Sequence, residues 1–329
     1  MIAITGANGL LGNFILKKFA EEKKSIIGIK RKTSDLSMVS LPKEMEWREA
    51  DINDSVSLME ALKNVDTVIH TAAVVSFDPR AKEKIYSTNV SGTRNVVNAC
   101  LALGIPRLIF ISSVAALGRK KGQAKIDEGN KWVDSDLNSD YAKSKYFAEL
   151  EVYRGQEEGL NISVINPSVI LAPANANKSS AQVFKYVHQE KLFYVEGAIN
   201  YVDVRDVADM VFIIYQNNLT GEKFIANAGQ VGLKELMEKI ASRLGKKAPS
   251  IRINHRLLKM AAWLEEMRCR LTGSEALVSR QSVKVPGEKY IYNNQKSIDQ
   301  LKMAYRSLDE TLDWCCKHYR VAFTTNKQQ

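Results

Sequence analysis

"ITGANGLLG" occupies residues 4–12, almost at the start of the chain. Gly6, Gly9 and Gly12 are each separated by two residues. They follow a short apolar run, Ile2–Thr5, that reads as a buried strand. Beyond them Leu11, Phe14, Ile15 and Phe19 recur at helical spacing. A strand, a tight glycine turn and a helix N-terminus together make an anion site. The helix dipole and its first N–H groups face the ligand, and glycine lets a phosphate approach the backbone. The spacing is G-x-x-G-x-x-G, not the G-x-G-x-x-G of many dehydrogenases. On these residues alone the turn either cradles a phosphate or packs a helix closely against a strand.

Outward from this turn the chain alternates. "SIIGIK" (25–30), "DTVIHTAA" (66–73), "RLIFISS" (107–113) and "NISVINPS" (161–168) read as strands. "VSGTRNVVNACLALG" (90–104) reads as a helix ending at Gly104, with Pro106 just beyond, and 141–159 as another. Strand and helix alternating through short connections predict an α/β fold with a Rossmann-type, doubly wound parallel sheet. This dinucleotide-binding domain is expected over 1–172, with strand elements near 201–228 returning to it. After Pro173 the rhythm breaks. Helices are expected at 231–245 and 257–273, the latter packing over a ligand cleft of its own chain. "SLDETLDWCCKHY" opens with a capping box, Ser307 and Glu310. Residues 173–329 are therefore expected to form a smaller, mostly helical substrate lobe, with "FTTNKQQ" as a fraying tail.

Composition narrows the class. The 329 residues are 45% hydrophobic and 26% charged, as in an ordinary globular protein with a real core. No apolar run reaches the roughly 20 residues that span a bilayer, and no charged n-region precedes the first strand. A cytoplasmic protein with no membrane partner is expected. Cys100, Cys269, Cys315 and Cys316 form no C-x-x-C pair, and the four histidines are scattered. Reduced thiols and no metal site are expected. The formal net charge is +10, but the basic residues are spread and no aromatic–basic repeat appears. No nucleic-acid partner is expected; part of the charge is assigned to a small phosphorylated ligand.

Several segments carry a resemblance. "TGANGLLG" resembles the T-G-x-x-G-x-x-G motif of the extended short-chain dehydrogenases/reductases, of the NAD-dependent epimerase/dehydratase type. "YAKSK" supplies that family's Y-x-x-x-K as Tyr141 and Lys145, and "FISSVAALG" its serine as Ser112 and Ser113. "ADI" (Asp51, Ile52), "HTAAV" (70–74), "STNVSGT" (87–93), "INPSVI" (165–170) and "YVDVRDVA" (201–208) continue the match in the expected order. The resemblance implies a catalytic set of Ser113, Tyr141, Lys145 and Asn89, with Asn89 supporting Lys145 through a water. It implies cofactor contacts at Gly6, Asn8, Gly9, Leu10, Leu11, Gly12, Thr71, Pro167, Ser168 and Val169. Asp51 and Ile52 would border the adenine, and Ala72 and Ala73 the pyrophosphate and ribose path. Lys145 would hold the nicotinamide ribose beside Tyr141.

The chemistry can also be argued from the residues. Residues i and i+4 share one helix face, so Tyr141 and Lys145 point into the same space. A free tyrosine has a pKa of about 10. A cation held nearby favours the phenolate and lowers that value by about 1–3 units. Tyr141 can then exchange a proton with a substrate oxygen that Ser113 hydrogen-bonds.

An acid at the end of the second strand accepts from the ribose 2′-OH in enzymes that use NAD. Here that strand ends "GIKRKTSD": Lys30, Arg31 and Lys32 occupy the place, and Asp35 comes late. Arg31, with Lys32 beside it, can fork onto a 2′-phosphate, so NADP is expected over NAD.

"SSVAALG" lacks the acid pair of sugar dehydratases, Leu117 stands in place of the epimerase tyrosine, and Asn200 and Tyr201 replace an arginine of nucleotide-sugar enzymes. "WLEEMRCRLTG" and "YIYNNQKSIDQL" resemble the dihydroflavonol-reductase-like branch. That resemblance implies NADP-dependent reduction of a ketone or aldehyde on a partly apolar small-molecule carbonyl substrate. Phe77, Val169, Phe184, Val187 and Tyr201 are pocket candidates. Two alternatives stand beside it: a nucleotide-sugar epimerase with tightly bound NAD, and a non-catalytic NADP-binding regulator. The family implies a homodimer through helices 90–104 and 141–159.

Overall fold

The first apolar run becomes β1 (Ile2–Thr5), buried at every residue, in a computed structural model that describes residues 1–36, 45–119, 122–135, 138–174, 179–254 and 290–325. The glycine turn leads into α1 (Leu10–Glu21), β2 (Ile26–Lys30), β3 (Glu46–Glu49), α2 (Ser55–Ala61) and β4 (Thr67–His70). Next come α3 (Lys82–Tyr86), a π-helical turn at Ser87–Ser91, and α4 (Gly92–Ala102). These are followed by β5 (Arg107–Ile111), β6 (Lys125–Ile126), α5 (Asp140–Glu157) and β7 (Asn161–Pro167). The second half holds β8 (Val169–Leu171), α6 (Gln182–His188), β9 (Phe193–Tyr194), β10 (Ala198–Asp203) and α7 (Val204–Gln216). It continues with β11 (Glu222–Ala226), β12 (Gly229–Gly232), α8 (Leu233–Leu244), β13 (Ile251–Arg252) and β14 (Ile291–Tyr292). The last described elements are α9 (Gln295–Leu301) and α10 (Leu308–Thr325).

Seven strands pair in the order β11-β7-β5-β4-β1-β2-β3, and every pairing is parallel. This is the expected Rossmann-type, doubly wound sheet. β1, β4 and β5 are buried along their whole length, as a sheet covered on both faces requires. Leu58, Val96, Val97 and Val152 bring α2, α4 and α5 onto one face. On the other face Phe19 of α1 meets Phe212 of α7 edge-on at 5.3 Å and Tyr215 at 5.3 Å. Chain order reverses between β1 and β4, and ligands of open α/β sheets bind at such a crossover, beyond the carboxyl ends of the strands.

The glycine turn closes that crossover tightly. Gly6 has φ +67°, and a Cβ there would sit 2.7 Å from the Ala72 Cα. A Cβ on Gly12 would sit 2.3 Å from the Gly6 carbonyl oxygen. Gly9 differs: its φ is −75°, open to any residue, and a Cβ would meet only the Gly6 oxygen at 3.1 Å.

Two elements of this sheet lie outside the expected set. β3 is the edge strand and its "EWRE" is mostly charged, so it carries no apolar alternation. α2 is short and is started by Asp54, whose carboxylate accepts the N–H groups of Val56 and Ser57.

The second half corrects the expectation in part. Within 201–228, β11 pairs with β7 in the main sheet, but β10 lies in a separate three-stranded sheet, β12-β10-β8. The lobe therefore combines that sheet with helices α6, α8 and α10. Its core gathers Phe184, Leu236, Ile240, Leu312 and Tyr319, with the Phe184 and Tyr319 rings stacked at 4.6 Å. The Tyr319 hydroxyl donates to the Ala172 carbonyl (3.1 Å) and accepts from the Ala174 N–H (3.0 Å). Ser307 accepts the Glu310 N–H at 3.2 Å, while the Glu310 carboxylate faces Arg205 (3.8 Å) and Arg306 (3.6 Å). α10 runs through Thr325, so the expected tail at 323–329 begins helical. The expected helix 257–273, with "WLEEMRCRLTG", lies outside the described residues, as does the end of the tail. Among the described residues no helix is long and apolar enough to cross a membrane.

Candidate active site

The carboxyl ends of β1, β4, β5 and β7 and the start of α5 surround the crossover. Gly9 is the N-cap of α1 and no side chain caps it, so the first-turn N–H groups present a positive helix end. Thr71 ties the β4 turn to β1: its N–H (3.2 Å) and its hydroxyl (2.7 Å) both donate to the Thr5 carbonyl. Asn8 donates to the Asp35 carbonyl at 3.4 Å, joining the glycine turn to the loop after β2. In that loop Arg31 and Lys32 are exposed, whereas Lys30 reaches Glu49 at 3.0 Å. Asp51 accepts the Asn53 N–H at 2.9 Å, and Ile52 is buried. Ser168 follows β7; its hydroxyl is buried and makes no hydrogen bond. A cradle at Gly9, an uncapped helix end, exposed cations at the tip of β2 and an orphaned hydroxyl fit the phosphates and ribose of an extended dinucleotide. Leu10 and Leu11 open α1 above that cradle, and Ala73 continues the β4 turn beyond Ala72.

The interior behind this turn is polar and fully satisfied. His70 Nδ1 lies 2.6 Å from the Thr5 hydroxyl and Nε2 lies 3.0 Å from the Thr93 hydroxyl. Thr93 donates to the Asn89 carbonyl at 2.6 Å, so it accepts from Nε2–H, and Nδ1 accepts from Thr5. Burial, with the Lys145 charge adding to it, pushes the His70 pKa down to about 3. His70 is therefore a neutral structural link, and its position in the scattered histidine pattern gave no sign of it.

Asn89 sits in the π-helical turn Ser87–Ser91 and is buried. Its carbonyl oxygen accepts the Val74 N–H at 2.7 Å, and its amide donates to the Val74 carbonyl (3.0 Å) and to Ser144 Oγ (2.9 Å). Ser144 in turn donates to the Tyr141 carbonyl at 2.8 Å. Both amide protons are engaged with Val74 and Ser144, so the Asn89 side chain ties the turn after β4 to the first turn of α5. Ser144 was not singled out in the sequence, where it is only the x before Lys145.

Ser113 and Tyr141 come together. The Ser113 side chain is close enough to act on the Tyr141 phenol, and Ser113 Oγ accepts the Ala115 N–H at 3.1 Å. Burial raises the Tyr141 pKa above the ordinary tyrosine value, with the neighbouring Ser113 opposing it. The Lys145 side chain is buried and turns beneath them: Nζ donates to the Ile111 carbonyl at 2.8 Å and lies 4.4 Å from the Phe110 ring centre. Burial lowers its pKa to about 8, against the pull of Glu149. The expected lowering of the Tyr141 pKa by Lys145 is thus not what the structure has. The ammonium is drawn to the end of β5, and the phenol keeps its proton.

The pocket candidates divide. Phe184 and Val187 are fully buried in the lobe core, and Tyr201 joins them there. Phe77 and Val169 are exposed, and the Phe77 ring meets Tyr141 edge-on at 6.1 Å.

The model of the NAD dependent epimerase/dehydratase family matches residues 2–229. A Synechocystis protein that carries the name dihydroflavonol 4-reductase is 26% identical over 316 residues, covering 94% of this chain and 91% of its own. Cinnamoyl-CoA reductase 1 of Petunia hybrida is 30% identical over 234 residues, covering 66% of this chain and 69% of its own. The crystal structure of gox2253 superposes with a TM-score of 0.83 at 28% identity, over 98% of both chains.

The glycine geometry separates packing from binding. Gly9→Val is expected to stay folded, by circular dichroism and urea unfolding, while its affinity for NADP falls below detection in a calorimetric titration. Gly12→Ala is expected to lose about 1–3 kcal/mol of stability through overpacking. Full NADP affinity in folded Gly9→Val would contradict this placement.

Proposed function

This chain belongs to the NAD-dependent epimerase/dehydratase family, and from that premise we propose that it is an NADP-dependent oxidoreductase that reduces a ketone or aldehyde carbonyl of a small, partly apolar substrate. The observation that carries the reading is the convergence of the Ser113 and Tyr141 side chains at the mouth of the crossover, with Lys145 beneath them. The bound cofactor supplies the hydride for the carbonyl carbon. As charge develops on the carbonyl oxygen, Tyr141 donates its phenolic proton to it, and Ser113 donates a second hydrogen bond. Burial keeps that phenol protonated at neutral pH, which suits an acid. Lys145, one helical turn from Tyr141, holds the ribose of the cofactor.

Arg31 and Lys32 support NADP over NAD, because exposed cations at the tip of β2 suit a 2′-phosphate. Exposed Val75, Phe77 and Val169 provide an apolar wall for the substrate. Epimerisation of a nucleotide sugar is disfavoured by two positions. Leu117 is buried against Ile126 and Tyr290, and Asn200 donates to the Tyr290 carbonyl at 2.8 Å. Exposed Phe147 and Leu150 on α5 support pairing of two copies through α4 and α5.

A panel of ketones and aldehydes, read by NADPH consumption, identifies a working substrate. On that substrate Tyr141→Phe is expected to cut kcat by roughly 10²–10⁴ while NADP affinity changes little. Turnover at the wild-type rate would refute the role of Tyr141. Arg31→Asp is expected to weaken NADP by about 1.5–3 kcal/mol, with little effect on NAD. Equal loss for both cofactors would place the 2′-phosphate elsewhere.

A further inference from the structure

Glu149 lies on α5 one turn beyond Lys145, and only 2% of its surface is exposed. Three elements converge on its carboxylate. The Ser112 hydroxyl, just after β5, donates to it at 2.5 Å; the Asn166 amide, from β7, at 2.7 Å; and the Lys223 ammonium, from β11, at 2.8 Å. The Asn166 amide also donates to the Ser113 carbonyl at 2.9 Å. One carboxylate therefore gathers three adjacent strands directly behind Ser113.

Burying a carboxylate is expensive, and apolar residues of similar volume often stabilise a fold as well or better. What the charge provides here is an anion facing two lysines. Lys145 is faced by Glu149 from its own helix, by neutral His70 from β4 and by the Phe110 ring from β5, while Lys223 from β11, beside Tyr153, faces Glu149. Glu149 is the anion among these groups, and it pulls the Lys145 equilibrium toward the ammonium against burial. Burial also opposes the Lys223 charge, yet Glu149 and Tyr153 hold its pKa above the ordinary lysine value.

We propose that Glu149 is a positioning residue: it aims Ser113 through Asn166 and keeps the Lys145 side chain an ammonium ion. The catalytic consequence rests on the Ser113–Tyr141–Lys145 reading above; the electrostatic one does not.

The test is a pH titration, by NMR, of full-length protein carrying lysine labelled with ¹³C at Cε. The Lys145 resonance is identified by its loss in Lys145→Arg. Its midpoint is expected near pH 8 in the wild type. In Glu149→Gln it is expected to fall by about 1–3 pH units. In Lys223→Met, which removes the cation paired with Glu149 and leaves that carboxylate's charge to Lys145, it is expected to rise. Glu149→Asp, which keeps the charge, should restore most of the wild-type value. If Glu149→Gln is too unstable to titrate, the direction of the Lys223→Met shift decides. A purely structural role would alter the thermal midpoints of the variants and leave the Lys145 midpoint in place, and that result would overturn the proposal. With a substrate in hand, the alkaline limb of the kcat profile should move with the NMR midpoint in Glu149→Gln. If the wild type reduces no carbonyl compound, the reductase reading falls, and the NMR midpoints still decide this proposal.

Discussion

The contact between the β1 turn and the β4 turn is the constraint from which the rest of the site follows. Gly6 and Ala72 meet backbone to backbone, at a distance no side chain on residue 6 would allow. Two hydrogen bonds from Thr71 to the Thr5 carbonyl hold them there. Because strand order reverses at this contact, the space beyond it is walled on both sides. The amino end of α1 faces that space. From Thr5 a continuous set of hydrogen bonds then runs through His70 and Thr93 to the Asn89 carbonyl. From the Asn89 side chain it continues through Ser144 to the Tyr141 backbone. The glycine turn and Tyr141, far apart in the chain, are thus parts of one rigid polar framework. His70, held neutral by burial down to about pH 3, keeps that framework intact across physiological pH.

The charged groups are layered around this framework. Cations at the tip of β2 stand in solvent, where they can meet a phosphate. Tyr141 and Ser113 lie at the mouth of the crevice. Lys145, Glu149 and Lys223 lie behind them, under the sheet ends. A buried group with a lowered lysine pKa is sensitive to each neighbouring charge, because little water is present to screen it. The electrostatics of the site therefore depend on residues that no ligand would touch.

Much of this was legible in the sequence, and the residues show why some was not. The glycine spacing, the run of apolar strands and the Tyr141–Lys145 interval each express a backbone period, and the parallel sheet and the shared helix face follow from those periods. β3 was hidden because an edge strand needs no apolar alternation. The three-stranded sheet of the lobe was hidden because β8, β10 and β12 are short and are separated by helices. Helical periodicity also cannot reveal the π-helical turn at Ser87–Ser91, which directs Asn89 to Val74 and Ser144. Phe184, Val187 and Tyr201 looked like pocket residues because an aromatic or branched side chain reads the same in a core as in a cleft. Glu149 was passed over for the opposite reason: on an amphipathic helix a glutamate normally faces solvent, and only the packing of β7 and β11 shows that this one does not.

The central claim is that the β1–β4 crossover holds a nicotinamide dinucleotide with its reactive end beside Tyr141. A crystal structure of the protein with NADP⁺ tests it most directly. The account predicts the pyrophosphate against the first turn of α1 at Gly9, the 2′-phosphate on Arg31, and the nicotinamide next to Tyr141, Lys145 and Ser168. NADP⁺ bound away from the α1 terminus, or with its nicotinamide remote from Tyr141, would contradict it.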